Sequence, residues 1–521
     1  MIDGSESIES AQVSDSPAIE ERSGTETMAR EGSIAFGGNL LRKLLGFVII
    51  AVITRMVSPS VYGLFVLATS IVLCVQLFAS LGLPKAIDYF VPQLLSEEEY
   101  AQARGVIVEV SAIVIVTSVV TAGIVFATAG AIASAFNEPS LRIALLILSI
   151  SIPFLAIYNV LLASFNAIKR LKYRVYTRDL VRPIVRLIGT VALLLAGYGL
   201  LGIVGGYLLG LAVAIVVGTA LLVRNANRIV EARTQTVAPR PLLWYSLPLA
   251  LAGIIYVLLG QIDYFVIGYY LTSEDVGIYR VGYMLAANLL IFLTAVAPIF
   301  KPLIAEAKEE TATVERRYQT ATRWVAGLTL PLAITLALGA DAYLSVVFTP
   351  QYGVASVAVG VLCLGYLINV SCGGPDGTLL QGLGYTRLVA FNTVLLLGSN
   401  ITLSIVLVPY FGIFGAALAT ATALTIAGVA AVAEVYYIRG IHPFTVDLGK
   451  VGLAALPAMA AGAALISVLE RPLAIALALP VVVVGIYAFV LVISDAFTED
   501  DAQIAAQLSP GIKRVVTMAR R

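Results

Sequence analysis

The chain is poor in the residues that build metal sites and disulfides. It has three cysteines and one histidine in 521 residues, and Cys74, Cys363 and Cys372 all lie in apolar runs. Because these cysteines show no paired spacing, we expect small buried hydrophobic residues rather than disulfide partners or ligands. The sequence also lacks a P-loop, a His/Cys cluster and a nucleophile motif. We therefore expect no metal site, no cofactor, no catalytic residues and no enzymatic activity.

Charged residues are equally scarce. They make up 12% of the chain, whereas 59% of the residues are hydrophobic. A soluble globular protein carries ~25% charged residues. The composition therefore predicts an all-α polytopic membrane protein. The net charge of +1 gives no indication of nucleic-acid binding.

About fourteen apolar runs are long enough to cross a bilayer, which takes ~20 helical residues. They cover approximately residues 33–57, 61–91, 104–128, 141–164, 179–196, 199–223, 242–271, 276–300, 322–347, 354–380, 386–408, 411–437, 449–469 and 473–494. We expect a disordered cytosolic tail (1–31), an N-terminal six-helix bundle (32–223), a basic cytosolic linker (224–241), a C-terminal six-helix bundle (242–438), two additional helices (439–495) and a second cytosolic tail (496–521).

The distribution of basic residues predicts the orientation. Short loops such as Ser58-Pro59-Ser60 alternate with longer basic loops, which hold most of the 33 Lys and Arg residues. Cytosolic loops attract Lys and Arg. We therefore expect a multi-pass protein of the plasma membrane with both termini in the cytosol. The acidic runs 97–99 and 499–501 suggest a salt-adapted organism.

A weak internal repeat divides the chain. Gly63 and Gly277 open similar helices, Lys169 and Gly384 follow similar helix ends, and Gly199 and Gly412 open a third pair. All three pairs are roughly 214 residues apart. This offset predicts two halves of the same orientation, and such repeats place a substrate site between the halves near the midplane of the membrane.

Two cations lie early in the first predicted span. Arg42 and Lys43 come about ten residues after Ser33, or ~15 Å along a helix. Charges at this depth are costly and usually face protein or a wet cavity. They could form an anion site in a cavity, or they could reach back to the cytosolic surface, which is easiest for Lys43.

Three more candidates lie near the predicted loop 272–275. Gln261 and Asp263 are deep in the seventh span, and Arg280 is one turn into the eighth. Asp263 and Arg280 could form a structural ion pair. Alternatively, they line the cavity with Gln261 and hold a proton, a cation or a polar substrate.

Two further candidates have structural explanations as well. Lys85 is three residues before Asp88, so the two share a helix face and could neutralise each other. Asp376 follows Gly373-Gly374-Pro375, a cluster that should break the tenth span and free backbone carbonyls. Such a break is tolerated where the backbone faces protein or water, which suggests a hinge or a site lining.

The motif Arg55-Met56-Val57-Ser58-Pro59-Ser60-Val61-Tyr62-Gly63, with Leu81-Gly82-Leu83 and Phe90-Val91-Pro92 further on, resembles Wzx-type polysaccharide and oligosaccharide flippases. Their superfamily also holds multidrug extruders and lipid II flippases, and the nearest resemblance is to archaeal flippases of glycan-charged dolichol phosphate. The resemblance covers residues 32–495. It implies two bundles, a central cationic cavity and alternating access. Arg42 lies where relatives carry a cavity cation, and Lys85 and Arg280 match only loosely.

The expected function is transfer of a lipid-linked oligosaccharide from the cytosolic to the outer leaflet. Each bare hydroxyl costs several kcal/mol in hydrocarbon, so a glycan needs a wet cavity and its phosphate needs cations. The alternatives are a cation-coupled exporter of small amphiphiles and a membrane glycan polymerase or transferase. Expected partners are the lipid-linked oligosaccharide, membrane lipids and glycosyltransferases of the same pathway, with no nucleic acid and a monomeric chain.

Overall fold

The structure is a computed structural model that describes the backbone of residues 17–372 and 374–494, and the side chains of residues 37–371 and 377–494. Within these ranges the chain forms helices and turns without a strand, which confirms the all-α prediction. The first helices are α1 (Pro17–Met56), α2 (Pro59–Ser80), α3 (Pro84–Ser96), α4 (Tyr100–Ala135), α5 (Pro139–Leu148), α6 (Ser151–Ala167), α7 (Leu171–Val175), α8 (Arg182–Leu195) and α9 (Gly199–Asn225). A π-helical segment, Tyr176–Val181, joins α7 to α8.

The part of the chain that follows α9 begins with a short helix in the predicted linker. Its helices are α10 (Asn227–Glu231), α11 (Pro239–Tyr270), α12 (Ser273–Ala287), α13 (Ile291–Glu306), α14 (Thr311–Leu338), α15 (Ala340–Val347), α16 (Ser356–Cys372), α17 (Gly374–Gly382), α18 (Thr386–Arg439), α19 (Val446–Val468) and α20 (Pro472–Ile493). The 3₁₀ turns Asn288–Leu290 and Pro350–Ala355 precede α13 and α16.

Eleven helices in the described part of the chain are long and apolar enough to cross a membrane, or twelve if the pair α5 and α6, bent by 41°, is one span. The predicted count of fourteen is therefore not confirmed. The predicted spans 386–408 and 411–437 both fall in α18, whose backbone leaves the helical region at Gly412 (φ 58°, ψ −140°). The predicted span 179–196 falls mostly in α8, which is too short to cross alone.

The first helix starts earlier than predicted. It begins at Pro17 rather than near Ser33, so residues 17–31 of the predicted tail are helical instead of disordered. Extending an existing helix costs much less than nucleating a new one, and Ala, Glu, Arg and Met in this stretch are good helix formers. Residues 1–16 and the predicted tail 496–521 lie outside the described residues.

The second predicted span is two helices. α2 ends at Ser80, Leu81 and Gly82 take left-handed conformations (φ 48° and 68°), and Pro84 starts α3. A Cβ on Gly82 would lie 2.7 Å from the carbonyl oxygen of Ser246, so α11 packs directly on this turn. Lys85 and Asp88 consequently belong to α3 and not to the end of α2.

The starts of α2 and α12 are capped in similar ways. Ser58 Oγ accepts a hydrogen bond from the backbone nitrogen of Val61 (3.4 Å), and Thr272 forms a capping box with Asp275. Such caps satisfy the first free N–H groups of a helix. Behind these caps, Tyr62 on α2 and Tyr279 on α12 belong to the same buried core. The two helices therefore meet along the boundary between the predicted halves.

Candidate functional site

A cavity of about 340 Å³ lies between helices of the two predicted halves. Its polar and aromatic wall residues are Tyr62, Phe65, Thr69, Ser70, Arg182, Arg186, Tyr207, Gln261, Tyr264 and Arg280, and the rest of the wall is apolar. The wall thus carries three guanidinium groups and, among the residues described, no carboxylate. The cavity is cationic.

Two of the arginines come from the first half. Arg182 is the first residue of α8 and Arg186 is one turn further on, so the two share a helix face. The π-helical segment before Arg182 changes the rotation of α8 relative to α7, and π segments are frequent at functional sites. Sequence reasoning did not select Arg182 and Arg186, although two arginines four residues apart beside Pro183 were a readable signal.

Aromatic rings, rather than acids, surround the first-half arginines. The guanidinium of Arg182 lies 4.9 Å from the ring centroid of Tyr158, and that of Arg186 lies 5.3 Å from Tyr207 and 5.5 Å from Phe65. A ring face attracts a cation without neutralising it. The buried Nε of Arg186 has no hydrogen-bond partner in the described part of the chain. This donor therefore has unused hydrogen-bonding capacity beside the cavity.

Arg280 supplies the cation of the second half. Its Nη1 donates a hydrogen bond to the hydroxyl of Tyr264 (2.6 Å), and its guanidinium lies 5.3 Å from the ring centroid of that tyrosine. Like Arg182 and Arg186, it forms no salt bridge with a described carboxylate. Three cations without acidic partners make a site that suits an anion with several oxygens.

Gln261 also lies on the cavity wall, as the sequence suggested. Its Oε1 accepts a hydrogen bond from Ser70 Oγ at 2.6 Å, which joins α11 to α2. This bond uses the amide oxygen of Gln261. The amide nitrogen can still donate to a hydroxyl in the cavity.

The ion pair considered between Asp263 and Arg280 is not formed. Tyr279 donates to Asp263 Oδ2 at 2.8 Å, whereas Arg280 donates to Tyr264. Successive residues of a helix point about 100° apart. The Asp263–Tyr279 bond and the Tyr264–Arg280 bond therefore form on different sides of the contact between α11 and α12. Asp263 faces the protein interior, and Arg280 faces the cavity.

Asp263 belongs to a separate buried polar cluster with Tyr279, Asn400 and Thr420. Thr420 Oγ1 donates to Asp263 Oδ2 (2.8 Å) and accepts from Asn400 Nδ2 (2.9 Å). Asp263 Oδ1, Asn400 Oδ1 and Ser404 Oγ are buried and have no partner among the described residues. Ser404 lies one turn after Asn400 on α18. Buried polar atoms are normally satisfied, so these unpaired oxygens keep acceptor capacity that a proton or a cation would use.

The cations of α1 lie elsewhere. Arg42 Nε forms a salt bridge with Asp179 Oδ1 at 3.1 Å, and this carboxylate also accepts two bonds from Arg178. The Arg42 side chain is 45% exposed and does not line the cavity, in contrast to the position that the resemblance implied. Lys43 is exposed as well.

Lys85 also lies apart from the cavity. Lys85 Nζ is 3.3 Å from Asp88 Oδ2, as the neutralising alternative predicted, and Asp88 Oδ1 accepts from Asn166. Asp376 lies in α17, and its side chain is outside the described residues.

The fold is that of a class of membrane transporters. It is similar to the solved structure of the lipid II flippase MurJ in an inward closed conformation, with a TM-score of 0.71 and 16% identity, over 87% of this chain and 96% of that one. It is also similar to an inward-facing multidrug resistance MATE family transporter of the MOP superfamily, with a TM-score of 0.65 and 13% identity, over 77% of this chain and 94% of that one. At such identities the likeness defines the fold.

Residues 52–357 match the family described as polysaccharide biosynthesis protein, and the chain belongs to this family. Two relatives come from Haloferax volcanii. The probable low-salt glycan biosynthesis flippase Agl15 is 28% identical over 184 residues, which are 35% of this chain and 38% of that protein. The probable flippase AglR is 29% identical over 178 residues, or 33% and 37% of the two chains. The chain therefore matches less than two fifths of the length of each relative.

Proposed function

We propose that this protein moves a lipid-linked oligosaccharide from the cytosolic to the outer leaflet by alternating access, without changing it chemically. The observation that carries the proposal is the set of Arg182, Arg186 and Arg280 around one cavity between the predicted halves, without a carboxylate in the described wall. Arginine binds phosphate oxygens through paired, charge-assisted hydrogen bonds. The name of Agl15, a probable low-salt glycan biosynthesis flippase, supports a glycan substrate, and the name of AglR, a probable flippase, supports the same kind of transport.

The cavity chemistry fits a phosphorylated glycan carrier. The guanidinium groups would hold the phosphate or diphosphate, and Gln261, Ser70 and Thr69 would offer hydrogen bonds to sugar hydroxyls. The polyprenol tail would stay in lipid outside the cavity. The resemblance makes dolichol phosphate the expected carrier. We place the protein in the plasma membrane with both termini in the cytosol, as a monomer that receives its substrate from glycosyltransferases of the same pathway.

A cation-coupled exporter of small amphiphiles is not favoured, because cationic amphiphiles require acidic residues where this cavity has arginines. Polymerase or transferase activity would need reacting groups in the cavity. The wall offers arginine, tyrosine, glutamine and hydroxyl side chains, which suit binding.

The test is a flipping assay with the full-length protein in proteoliposomes. A polyprenyl-linked oligosaccharide is placed in the bilayer, and its glycan is oxidised by membrane-impermeant periodate as it appears outside. A charge-assisted hydrogen bond is worth ~1.5–3 kcal/mol, so Arg186→Ala should slow transfer about 10- to 150-fold. Arg186→Lys keeps the charge and should slow it less. Arg471→Ala, which removes an exposed cation in the loop between α19 and α20, is the matched control. Normal transfer by Arg186→Ala would contradict the proposal.

We further propose that the Asp263 cluster holds the coupling proton or monovalent cation. Its support is the three unsatisfied buried oxygens on Asp263, Asn400 and Ser404. Asp263→Asn keeps the size of the side chain and removes its charge. Transfer by the unaltered protein should respond to an imposed sodium or pH gradient, and transfer by Asp263→Asn should not. An equal response of both proteins to each gradient would contradict this assignment.

A further inference from the structure

A second basic pocket, of about 690 Å³, lies away from the central cavity, where three connecting segments of the first half meet. Lys169 and Arg170 come from the turn after α6, Arg224 from the end of α9, and Arg228 from α10. The lining, all of it in the described part of the chain, contains no acidic residue. These segments belong to the side that the sequence predicts to be cytosolic.

The four cations are not neutralised within the described residues. None of them forms a salt bridge with a carboxylate there. Arg228 donates to the hydroxyl of Tyr100 at 3.1 Å, and Glu98 interacts with it from outside the pocket. Like charges held near one another repel. An anion that enters the pocket would relieve this repulsion.

The backbone is strained at Lys169 but not at Gly384, its partner in the predicted internal repeat. Lys169 has φ 55°, a left-handed conformation that side chains with a Cβ avoid, while Gly384 at the equivalent position has φ 90°. The hydrogen bonds match: Lys169 N to Asn166 O (3.0 Å) in one turn corresponds to Gly384 N to Gln381 O (3.1 Å) in the other. Glycine would make the same turn without strain. Strain of this kind is typical of functional positions.

The far wall of the pocket is held in place by α4. Arg104 Nη1 donates to the carbonyl oxygens of Val230 and, at 2.6 Å, of Ala232, which fastens the end of α10 and the residue after it. The backbone of Gln235 also bonds to Ala101 O at 3.2 Å. A Cβ on Gly105 would lie 1.9 Å from Gln235 O, so the linker packs directly on the helix. The pocket is thus a built feature rather than a loose loop.

An apolar groove of about 150 Å³ adjoins the basic pocket. Ile168, Ala226 and Ile229 line both. The groove continues between α4 and α9 along Ile107, Val108 and Leu222. Both helices are long and apolar enough to cross a membrane, so the groove runs from the basic pocket along two helices that we expect to lie in the bilayer.

We propose that the basic pocket and the apolar groove form one binding site for an anionic membrane phospholipid, separate from the transport cavity. The phosphate lies among Lys169, Arg170, Arg224 and Arg228, and one hydrocarbon chain follows the groove between α4 and α9. Basic pockets beside membrane helices favour anionic head groups. A soluble phosphate would use the cations alone and leave the groove empty. The site joins the linker to the first half, so its lipid would also stabilise the linker against α4.

The experiment measures lipid binding by the purified full-length protein, independently of transport. Native mass spectrometry is used to titrate phosphatidylglycerol, phosphatidylcholine and glycerol 3-phosphate. We expect selective binding of phosphatidylglycerol. Because each cation near a membrane contributes ~1 kcal/mol, the double variant Arg224→Ala/Arg228→Ala should weaken that binding about 30-fold. The control pair Arg142→Ala/Arg471→Ala removes two exposed cations that the sequence predicts to lie near the outer side, and it should leave binding unchanged.

Two further variants separate the ligand role from folding. Lys169→Gly removes a cation and relieves the backbone strain, so phosphatidylglycerol binding should fall while the melting temperature stays equal or rises. Leu222→Trp fills the groove and should weaken phosphatidylglycerol without changing binding of glycerol 3-phosphate.

Three outcomes would overturn the proposal. Equal affinity for phosphatidylglycerol and phosphatidylcholine would show that the pocket does not select an anionic head group. Binding of glycerol 3-phosphate as tight as that of phosphatidylglycerol, with no effect of Leu222→Trp, would assign the pocket to a soluble phosphate. Displacement of phosphatidylglycerol by equimolar polyprenyl phosphate would assign it to the glycan carrier.

Discussion

Gly63 on α2 and Gly277 on α12 pack backbone to backbone across the boundary between the predicted halves. A Cβ on Gly63 would lie 1.6 Å from the carbonyl oxygen of Ser273, and one on Gly277 would lie 2.3 Å from that of Pro59. Ser60 Oγ and Ser273 Oγ are 3.2 Å apart beside them. These two glycines are also a pair of the internal repeat. Their contact lies beside Tyr62 of the cavity wall, at the end of α2 and α12 that the sequence predicts to face outside, where it would close the cavity.

The first prediction concerns this closure. Gly63→Ala introduces a methyl group for which the contact has no space, so we expect the outer end to open. Thr69, on the cavity wall, is replaced by cysteine in a background without native cysteines. Labelling of Cys at this position by an impermeant maleimide added outside should then increase several-fold.

The matched control is Gly253→Ala on α11, where an added Cβ meets nothing within 4 Å. It should leave the labelling unchanged. Equal labelling of the cysteine at position 69 in proteins with Gly63 and with Gly63→Ala would show that the glycines do not close this end.

The second prediction concerns Arg42 and Asp179. The Asp179 side chain is fully buried and binds both Arg42 and Arg178, whereas Arg42 is 45% exposed. Asp179→Ala removes the one carboxylate shared by two arginines, of which Arg178 is only 25% exposed. Arg42→Ala breaks only the exposed pair, which contributes ~0–1 kcal/mol, and leaves Arg178 on the carboxylate. Asp179→Ala should therefore lower the melting temperature strongly, and Arg42→Ala should lower it only slightly.

Transport distinguishes the two roles of Arg42. If it positions α1 against the π-helical segment, Arg42→Ala retains most of the flipping activity. A loss of flipping as large as that of Arg186→Ala, without a change in melting temperature, would restore the cavity role that the family resemblance implied.

The third prediction concerns the buried cluster on α11 and α18. Thr420→Val removes the hydroxyl that donates to Asp263 and accepts from Asn400. Both partners then lose a bond in the interior, and we expect a loss of ~1–3 kcal/mol in the free energy of unfolding. Thermal unfolding in detergent measures it. Thr402→Val is the control, because the Thr402 hydroxyl is exposed and bonds only to the carbonyl of Gly398. Equal melting temperatures for the two variants would contradict the prediction.

The sequence predicted the helical class and most helix positions. The length of an apolar run decides whether it can cross a bilayer, and this length can be read without knowing how the helices pack. It also identified Gln261 and Arg280, which stand out as polar residues in apolar helices. It did not select Arg182 and Arg186: Arg182 ends the basic run 169–182, and Arg186 lies inside the predicted fifth span, 179–196. Their position in the cavity depends on the π-helical segment before α8. No residue pattern in the sequence predicted that segment.

Local chemistry along the chain thus determined the helices, their caps at Ser58 and Thr272, and the composition of a membrane protein. Tertiary structure decided which charges face the cavity. In a membrane helix, the face toward lipid and the face toward protein are both apolar, so the hydrophobic period does not reveal which faces meet. Arg42 pairs with Asp179, Asp263 turns away from Arg280, and Arg280 joins the sequence-distant pair Arg182 and Arg186 around one cavity, because helix packing set those contacts.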